Sequence, residues 1–197
     1  MTVGKLVPLR RVAGEVAELS DEALVAACAT GDSAALGALF DRFNIAVYRF
    51  LARLPTTDEG ARDDLVQATF LQVQRCAEKF RGGSAVKTWI LGVAANVARR
   101  QLRGERRRRA RQAVFLVDQQ RVESVRPDAV VDRQRLLARI GEALRELPYP
   151  QQVAFAMCDL EQLSGTEVAR ALGIPEGTLW RRVYQARKAL RDVMERG

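Results

Sequence analysis

Apolar residues return at three- and four-residue steps along most of this chain, the pattern of helices that bury one face. The first run opens at Ser20, a hydroxyl suited to an N-cap. Asp21 and Glu22 follow, placing negative charge at the positive end of a helix dipole, and then come apolar Leu24, Val25 and Cys28. Gly31-Asp32-Ser33 interrupts this helix. Leu36, Leu39, Phe40, Phe43, Val47, Phe50, Leu51 and Leu54 predict a long amphipathic helix, closed by a polar turn from Pro55 to Gly60. Leu65, Thr69, Phe70, Val73, Ala77 and Phe80 mark the next stripe. The Gly-rich break Phe80-Arg81-Gly82-Gly83-Ser84 separates it from Val86, Trp89, Ile90, Val93 and Val97. No segment alternates with period two for long enough to predict a strand, so the first hundred residues read as an all-helical bundle.

The pattern then changes. Between Arg99 and Arg111 lie eight arginines (99, 100, 103, 106, 107, 108, 109 and 111) and one Glu, a local net charge of +7 that no compact core accommodates. Residues 112–132 are polar and aperiodic apart from Val114-Phe115-Leu116-Val117, contain Pro127, and read as a linker. Helical periodicity resumes at Leu136, Leu137, Ile140, Leu144 and Leu147, stops at Pro148-Tyr149-Pro150, and continues at Val153, Phe155, Ala156, Met157 and Leu160. Ser164-Gly165-Thr166-Glu167 has the spacing of a capping box, in which Ser serves the Glu amide and Glu reaches back, directly before Val168 and Leu172. Gly173 suits a left-handed helix end and Pro175 a helix start. Leu179, Val183, Ala186, Leu190 and Val193 then form the apolar face of a last helix whose other side carries Arg181, Arg182, Gln185 and Lys188, with Tyr184 and Arg187 beside them. Two helices joined by a tight Gly-containing turn give a helix-turn-helix outline, and these side chains are able to meet base edges and phosphates. A plain helical hairpin with a solvated basic face is the competing reading. The order of the capping box, short helix, turn glycine and basic helix favours DNA binding.

With 197 residues, 48% of them hydrophobic and 28% charged, the chain fits one ordinary globular domain or two small ones with thin cores. A formal net charge of +8 suits a polyanionic partner, whether nucleic acid, an acidic protein or an anionic membrane surface. The absence of histidine removes Ser-His-Asp and Cys-His nucleophiles, His-containing zinc sites and the commonest general base. Cys28, Cys76 and Cys158 lack CxxC spacing and read as reduced packing residues of a cytoplasmic protein. The charged N-terminus does not resemble a signal peptide, and no eighteen-residue apolar run predicts membrane insertion.

Over about residues 20 to 104 and 133 to 195 the chain resembles the extracytoplasmic-function sigma factors, small two-domain initiation subunits of bacterial RNA polymerase. The resemblance is carried first by Gly31-Asp32-Ser33-Ala34-Ala35-Leu36 and Asp63-Asp64-Leu65-Val66-Gln67-Ala68-Thr69-Phe70-Leu71-Gln72-Val73. It continues in Phe80-Arg81-Gly82-Gly83-Ser84-Ala85-Val86-Lys87-Thr88-Trp89-Ile90 and in Ala94-Ala95-Asn96 with Arg99, Arg100 and Arg103. In the C-terminal third it rests on Leu147-Pro148, Leu163-Ser164, Gly173-Ile174-Pro175-Glu176-Gly177-Thr178 and Ala186-Arg187-Lys188-Ala189-Leu190-Arg191.

The resemblance implies an all-α fold of two helical domains joined by a flexible basic linker. An N-terminal extension would span 1–19, a polymerase-binding and promoter-melting domain 20–104, a linker 105–132 and a helix-turn-helix domain 133–197. It implies that Asp63, Asp64, Gln67, Thr69, Leu71 and Gln72 meet the polymerase clamp. Phe80, Arg81, Gly82, Gly83, Ser84, Lys87, Thr88, Trp89, Asn96, Arg99, Arg100 and Arg103 would hold the melted minus-ten element, stacking bases and neutralising phosphates. Thr178, Arg181, Arg182, Tyr184, Gln185, Arg187 and Lys188 would face the minus-thirty-five element. The partners it implies are core RNA polymerase, promoter DNA and an anti-sigma factor, with no catalytic residues, no cofactor, no metal and no small-molecule substrate.

Trp180 stands where the family commonly has a basic residue, Arg181 where it has a small hydroxyl, Gln185 where it has arginine, and Ala95 where arginine is usual before the asparagine. These departures leave the preferred promoter open. Simpler readings make Asp63 and Asp64 dipole partners of a helix start, and Phe80 and Trp89 core residues. Two other functions compete. A stand-alone helix-turn-helix repressor or activator would bind duplex DNA tightly by itself, as a dimer on a palindrome. An enzyme using Glu59, Asp63 and Asp64 on a metal is disfavoured, because adjacent helical carboxylates point about 100° apart.

Overall fold

The structure, a computed structural model, describes residues 15–57, 59–113 and 131–195; residues 1–14 and 114–130, the bulk of the expected extension and linker, lie outside them. Local chemistry sets the first helices much as the pattern predicts. Ser20 Oγ accepts the Ala23 N–H at 3.2 Å at the start of α1 (Asp21–Ala29). Asp32 accepts the N–H groups of Ala34 and Ala35 at 2.7 and 3.2 Å and so caps α2 (Ser33–Ala52). α3 (Arg62–Cys76) follows a short turn at Glu59–Ala61, and the Gly-rich loop leads into α4 (Val86–Ala113). The C-terminal half comprises α5 (Val131–Glu146), α6 (Tyr149–Phe155), a single π turn at Ala156–Leu160, α7 (Gly165–Leu172) and α8 (Glu176–Glu195). The fold class is all-α, with eight α-helices and no strand among the described residues.

Three features differ from the sequence reading. α4 runs 28 residues, so the first nine residues of the expected linker, 105–113, are helical. Arginine, glutamine and alanine are good helix formers, and the helix propagates past the core into the basic run, where Gln101 donates to Glu105 at 3.1 Å. The capping box does not close. Ser164 sits at the N-cap of α7 without a side-chain cap bond, and Glu167 is engaged elsewhere. Finally, the halves are not held apart. One apolar cluster joins Leu24, Leu39, Phe50, Phe70 and Leu91 of the first half to Val153, Met157, Val168 and Leu179 of the second. Two small cores merge into a larger one, which removes more apolar surface from water than either achieves alone.

The contact between α4 and α7 is close because Gly92 lacks a side chain: a Cβ there would lie 2.8 Å from the Ala171 carbonyl oxygen. Gly173 ends α7 in the left-handed region (φ 65°), where its N–H bonds back to Arg170. Tyr149 donates its hydroxyl proton to the Ala95 carbonyl at 2.8 Å, and burial raises its pKa. Gln152, buried, donates to the Leu147 carbonyl at 2.8 Å and accepts from Thr56 Oγ1 at 3.1 Å, so its amide is satisfied on both sides of the interface.

All three cysteines are free thiols, Cys28 and Cys158 buried and Cys76 half-buried. Burial, with the Asp32 charge adding to it, pushes the Cys28 thiol up to about 11. Burial and Asp159, opposed by Arg187, do the same for Cys158, also to about 11. Iodoacetamide at pH 8 is expected to label Cys76 first and the other two only on unfolding. Since both buried thiols ionise more readily in the unfolded chain, their stabilising contribution is complete below the ordinary thiol value of 9.0 and is lost as pH rises towards 11. Simultaneous labelling of all three in folded protein would contradict the burial.

Candidate polymerase and nucleic-acid interfaces

The exposed side of α3 is built by helical geometry. Leu65, Val66, Thr69, Phe70 and Val73 turn inward, which leaves Asp63, Asp64, Gln67 and Leu71 facing solvent and Gln72 at the flank. Leu71 is 54% exposed among polar neighbours, as suits a protein-binding face. Thr69, expected on this face, is fully buried and donates its hydroxyl to the Leu65 carbonyl at 2.7 Å. Residues two apart on a helix point about 160° away from each other, so Leu71 and Thr69 cannot share a face. Asp63 and Asp64 occupy the first turn of α3, where no side chain caps the helix. Among the described residues no group of three His, Cys, Asp or Glu side chains is placed to hold a metal ion, and Glu59 instead pairs with Arg62 at 3.3 Å.

The loop at 80–85 is framed by an aromatic pair. Phe80 and Trp89 lie with ring centroids 5.1 Å apart, both half-buried against the core, so they serve as packing residues with one side left open. Arg81 donates to the Glu78 carbonyl at 2.9 Å. Gly82 and Arg81 are exposed, Gly83 and Ser84 half-buried. Along α4, Asn96 donates to the Gly92 carbonyl at 3.1 Å and accepts from Arg99 at 3.0 Å; Arg100 reaches Gln72 of α3 at 3.5 Å; Arg103 is exposed. Thr88 departs from expectation. It is fully buried and its hydroxyl donates to Glu167 at 3.1 Å.

On α8, Leu179, Val183 and Ala186 are buried while Thr178, Arg181, Tyr184, Gln185 and Lys188 are exposed, so the helix presents the basic surface its pattern predicts. Tyr184 is 66% exposed. Arg187 forms a fork on Asp159 of the π turn, with bonds of 3.1 and 2.5 Å, and this carboxylate raises the arginine pKa further above its ordinary value. Gln185 accepts from Gln151 at 2.8 Å. Arg182 is half-buried and lines a small cleft with Tyr149, Asn96 and Arg99. A larger cleft, of about 490 Å³, lies between the 80–84 loop and the α7 end, with Phe80, Arg81, Trp89 and Asn96 on one wall and Arg170 and Leu172 on the other.

The structure therefore brings together two sets of residues that sequence reasoning kept apart. It also adds four that were missed as site neighbours: Glu161, Glu167, Arg170 and Tyr149 all bridge the halves. Their partners lie 54 to 108 residues away in the chain, and only Glu167 carried a local signal, which pointed to a different contact.

Residues 39–108 match the family model described as Sigma-70 region 2, and residues 137–190 the one described as Sigma-70, region 4. The ECF RNA polymerase sigma-E factor of Escherichia coli (strain K12) is 28% identical over 185 residues, which are 90% of this chain and 96% of that protein. ECF RNA polymerase sigma factor SigE of Mycolicibacterium smegmatis is 33% identical over 171 residues, 84% of this chain and 65% of its own length. Among solved structures, CnrH in complex with the cytosolic domain of CnrY superposes with a TM-score of 0.61 at 21% identity, covering 89% of this chain and 97% of that one. The sigma factor RpoE from Bartonella quintana, in complex with the anti-sigma factor NepR, gives 0.59 at 22% identity, over 79% and 94%. The matched regions 2 and 4 take in more than half of the residues, fall on the two helical halves in order, and place the basic α8 within region 4: the chain belongs to the sigma-70 family, as an extracytoplasmic-function sigma factor that recognises promoters for RNA polymerase.

Proposed function

We propose that this sigma factor docks on the polymerase clamp through Asp63, Asp64, Gln67, Leu71 and Gln72 of α3. It holds the melted minus-ten strand with Phe80, Arg81, Gly82, Gly83, Ser84, Lys87, Trp89, Asn96, Arg99, Arg100 and Arg103, and reads the minus-thirty-five duplex with Thr178, Arg181, Arg182, Tyr184, Gln185 and Lys188. The observation that carries this reading is the pair of basic helices, α4 and α8, on either side of the 114–130 connection, one next to an aromatic pair and the other in a helix-turn-helix. Stacking and phosphate contact suit single strands; an arginine-rich helix suits a major groove. Melting uses binding energy alone, so the factor needs no catalytic group of its own. Because residues 114–130 join the two halves covalently, two modest DNA contacts act as one through effective concentration. No described helix is long and apolar enough to cross a membrane, which fits action in the cytoplasm beside the polymerase. The complex of RpoE with the anti-sigma factor NepR supports the same kind of restraint for this chain.

Run-off transcription with core RNA polymerase on genomic fragments from the source tests the whole reading. Discrete start sites that share two spaced elements, and that depend on this protein, are expected. Tight, polymerase-independent duplex binding with no transcripts would indicate a stand-alone repressor or activator instead. In the same assay Arg182→Ala should lower initiation and change the minus-thirty-five preference, by about 1–3 kcal/mol of discrimination if it meets a base edge. An unchanged preference profile would remove Arg182 from the readers.

A further inference from the structure

Trp180 belongs to none of the interfaces assigned above, yet it lies in the second turn of α8 and is 46% exposed. One edge of its indole rests on Gly165, the first residue of α7, where a Cβ would lie 2.3 Å from Trp180 Cζ2. The missing side chain makes a seat for the ring and leaves its other side open. Tyr184, one turn further along α8 and 66% exposed, lies on the same side of the helix. The two rings form the apolar wall of an open groove of about 440 Å³, which Arg187, Lys188 and Arg191 edge with positive charge. Asp192 and Glu195 lie at its C-terminal end.

Chemistry narrows what such a surface fits. The core of a protein interface is depleted in charge, whereas here cations flank the rings, as suits a groove lined by phosphates. In the DNA major groove the base edges carry hydrogen-bond donors and acceptors, and the apolar exception is the C5-methyl group of thymine. An indole has a single N–H donor, so against any other base edge it strips water from polar groups that it cannot bond. Against a thymine methyl group that cost is absent, and both partners gain by leaving water.

We infer that Trp180 is a specificity-determining residue that reads thymine methyl groups in the upstream promoter element, and that Gly165 is the positioning residue that seats it. The inference rests on the proposed assignment of α8 to the minus-thirty-five duplex.

The test uses the full chain bound to core polymerase and the upstream element found by run-off transcription. Each thymine of that element is replaced in turn by deoxyuridine, which removes the methyl group alone. Burial of one methyl group predicts that deoxyuridine at one or two positions weakens wild-type binding about fourfold. Trp180→Ala should bind the thymine and deoxyuridine elements equally. Gly165→Ala keeps the indole but displaces it, and should shrink the same difference. Arg181→Ala should weaken binding to both elements while preserving their ratio. An upstream element without A·T pairs, no deoxyuridine penalty in the wild type, or a penalty that survives Trp180→Ala in folded protein would overturn the inference. Loss of core-polymerase affinity in Trp180→Ala with the penalty intact would overturn it in favour of a protein contact. If Arg181→Ala alters nothing while the thymine penalty depends on Trp180, the inference stands and Arg181 leaves the set of readers. If neither variant changes binding to the upstream element, the assignment of α8 falls, and this inference with it.

Discussion

Replacing Phe70 by alanine is expected to lower the free energy of unfolding by about 3–5 kcal/mol, the usual cost of emptying a buried aromatic site. Phe70 is 2% exposed on α3, and its ring meets Phe40 of α2 edge-on with centroids 4.9 Å apart, a contact that adds about 0.5–1.5 kcal/mol beyond area burial. Domains of this size are stable by about 5–15 kcal/mol in total, so the substitution leaves little in reserve. Urea unfolding followed by circular dichroism measures the effect, with Phe70→Leu as the control that refills most of the volume. A loss under about 1 kcal/mol would mean that α3 does not pack through this ring.

The second large effect concerns binding and not folding. Asp64→Arg combined with Leu71→Glu reverses one charge and buries another in the proposed clamp contact, while both positions are solvent-exposed in the free protein. Central interface residues cost about 2 kcal/mol or more when removed, so affinity for core polymerase should fall at least about thirtyfold. The melting temperature should stay within a degree or two, since surface changes of this kind alter stability by about 0.5 kcal/mol. Fluorescence anisotropy of the labelled factor titrated with core enzyme reads the affinity directly. Undiminished binding would move the clamp contact off this face of α3.

Most helices were legible because each rule that predicts them is local. Ser20 and Asp32 cap as their positions suggest, Gly173 takes the left-handed conformation, and the buried faces of α2, α3 and α8 follow their three- and four-residue stripes. The misplacements were of two physical kinds. The periodicity puts Thr69 on the buried stripe, where it bonds Leu65, and only the family resemblance sets it beside Leu71 on the exposed face. Thr88 and Glu167 were read within their own segments, whereas their bond spans 79 positions, a pairing no periodicity encodes. The extension of α4 to Ala113 was missed for the opposite reason. Residues 105–113 carry no apolar stripe for periodicity to detect, and a solvated arginine-rich helix needs none. The proposed roles of the site residues rest on the family resemblance, whereas the shared cleft of Arg182, Asn96 and Arg99 is a product of the tertiary fold.

The apolar cluster that runs through both halves has a thermodynamic consequence. While it is intact, calorimetry should record one endotherm for the molecule, since neither half can lose its structure without stripping the other's core. Were the halves to part, the C-terminal one, residues 131–195, would stand in the size range where a core alone supplies only about 3–5 kcal/mol. Separated halves would each expose the apolar surface the other now covers, which favours proteolysis and aggregation. The shared core therefore makes the lifetime of the free factor against proteolysis depend on the two halves staying together.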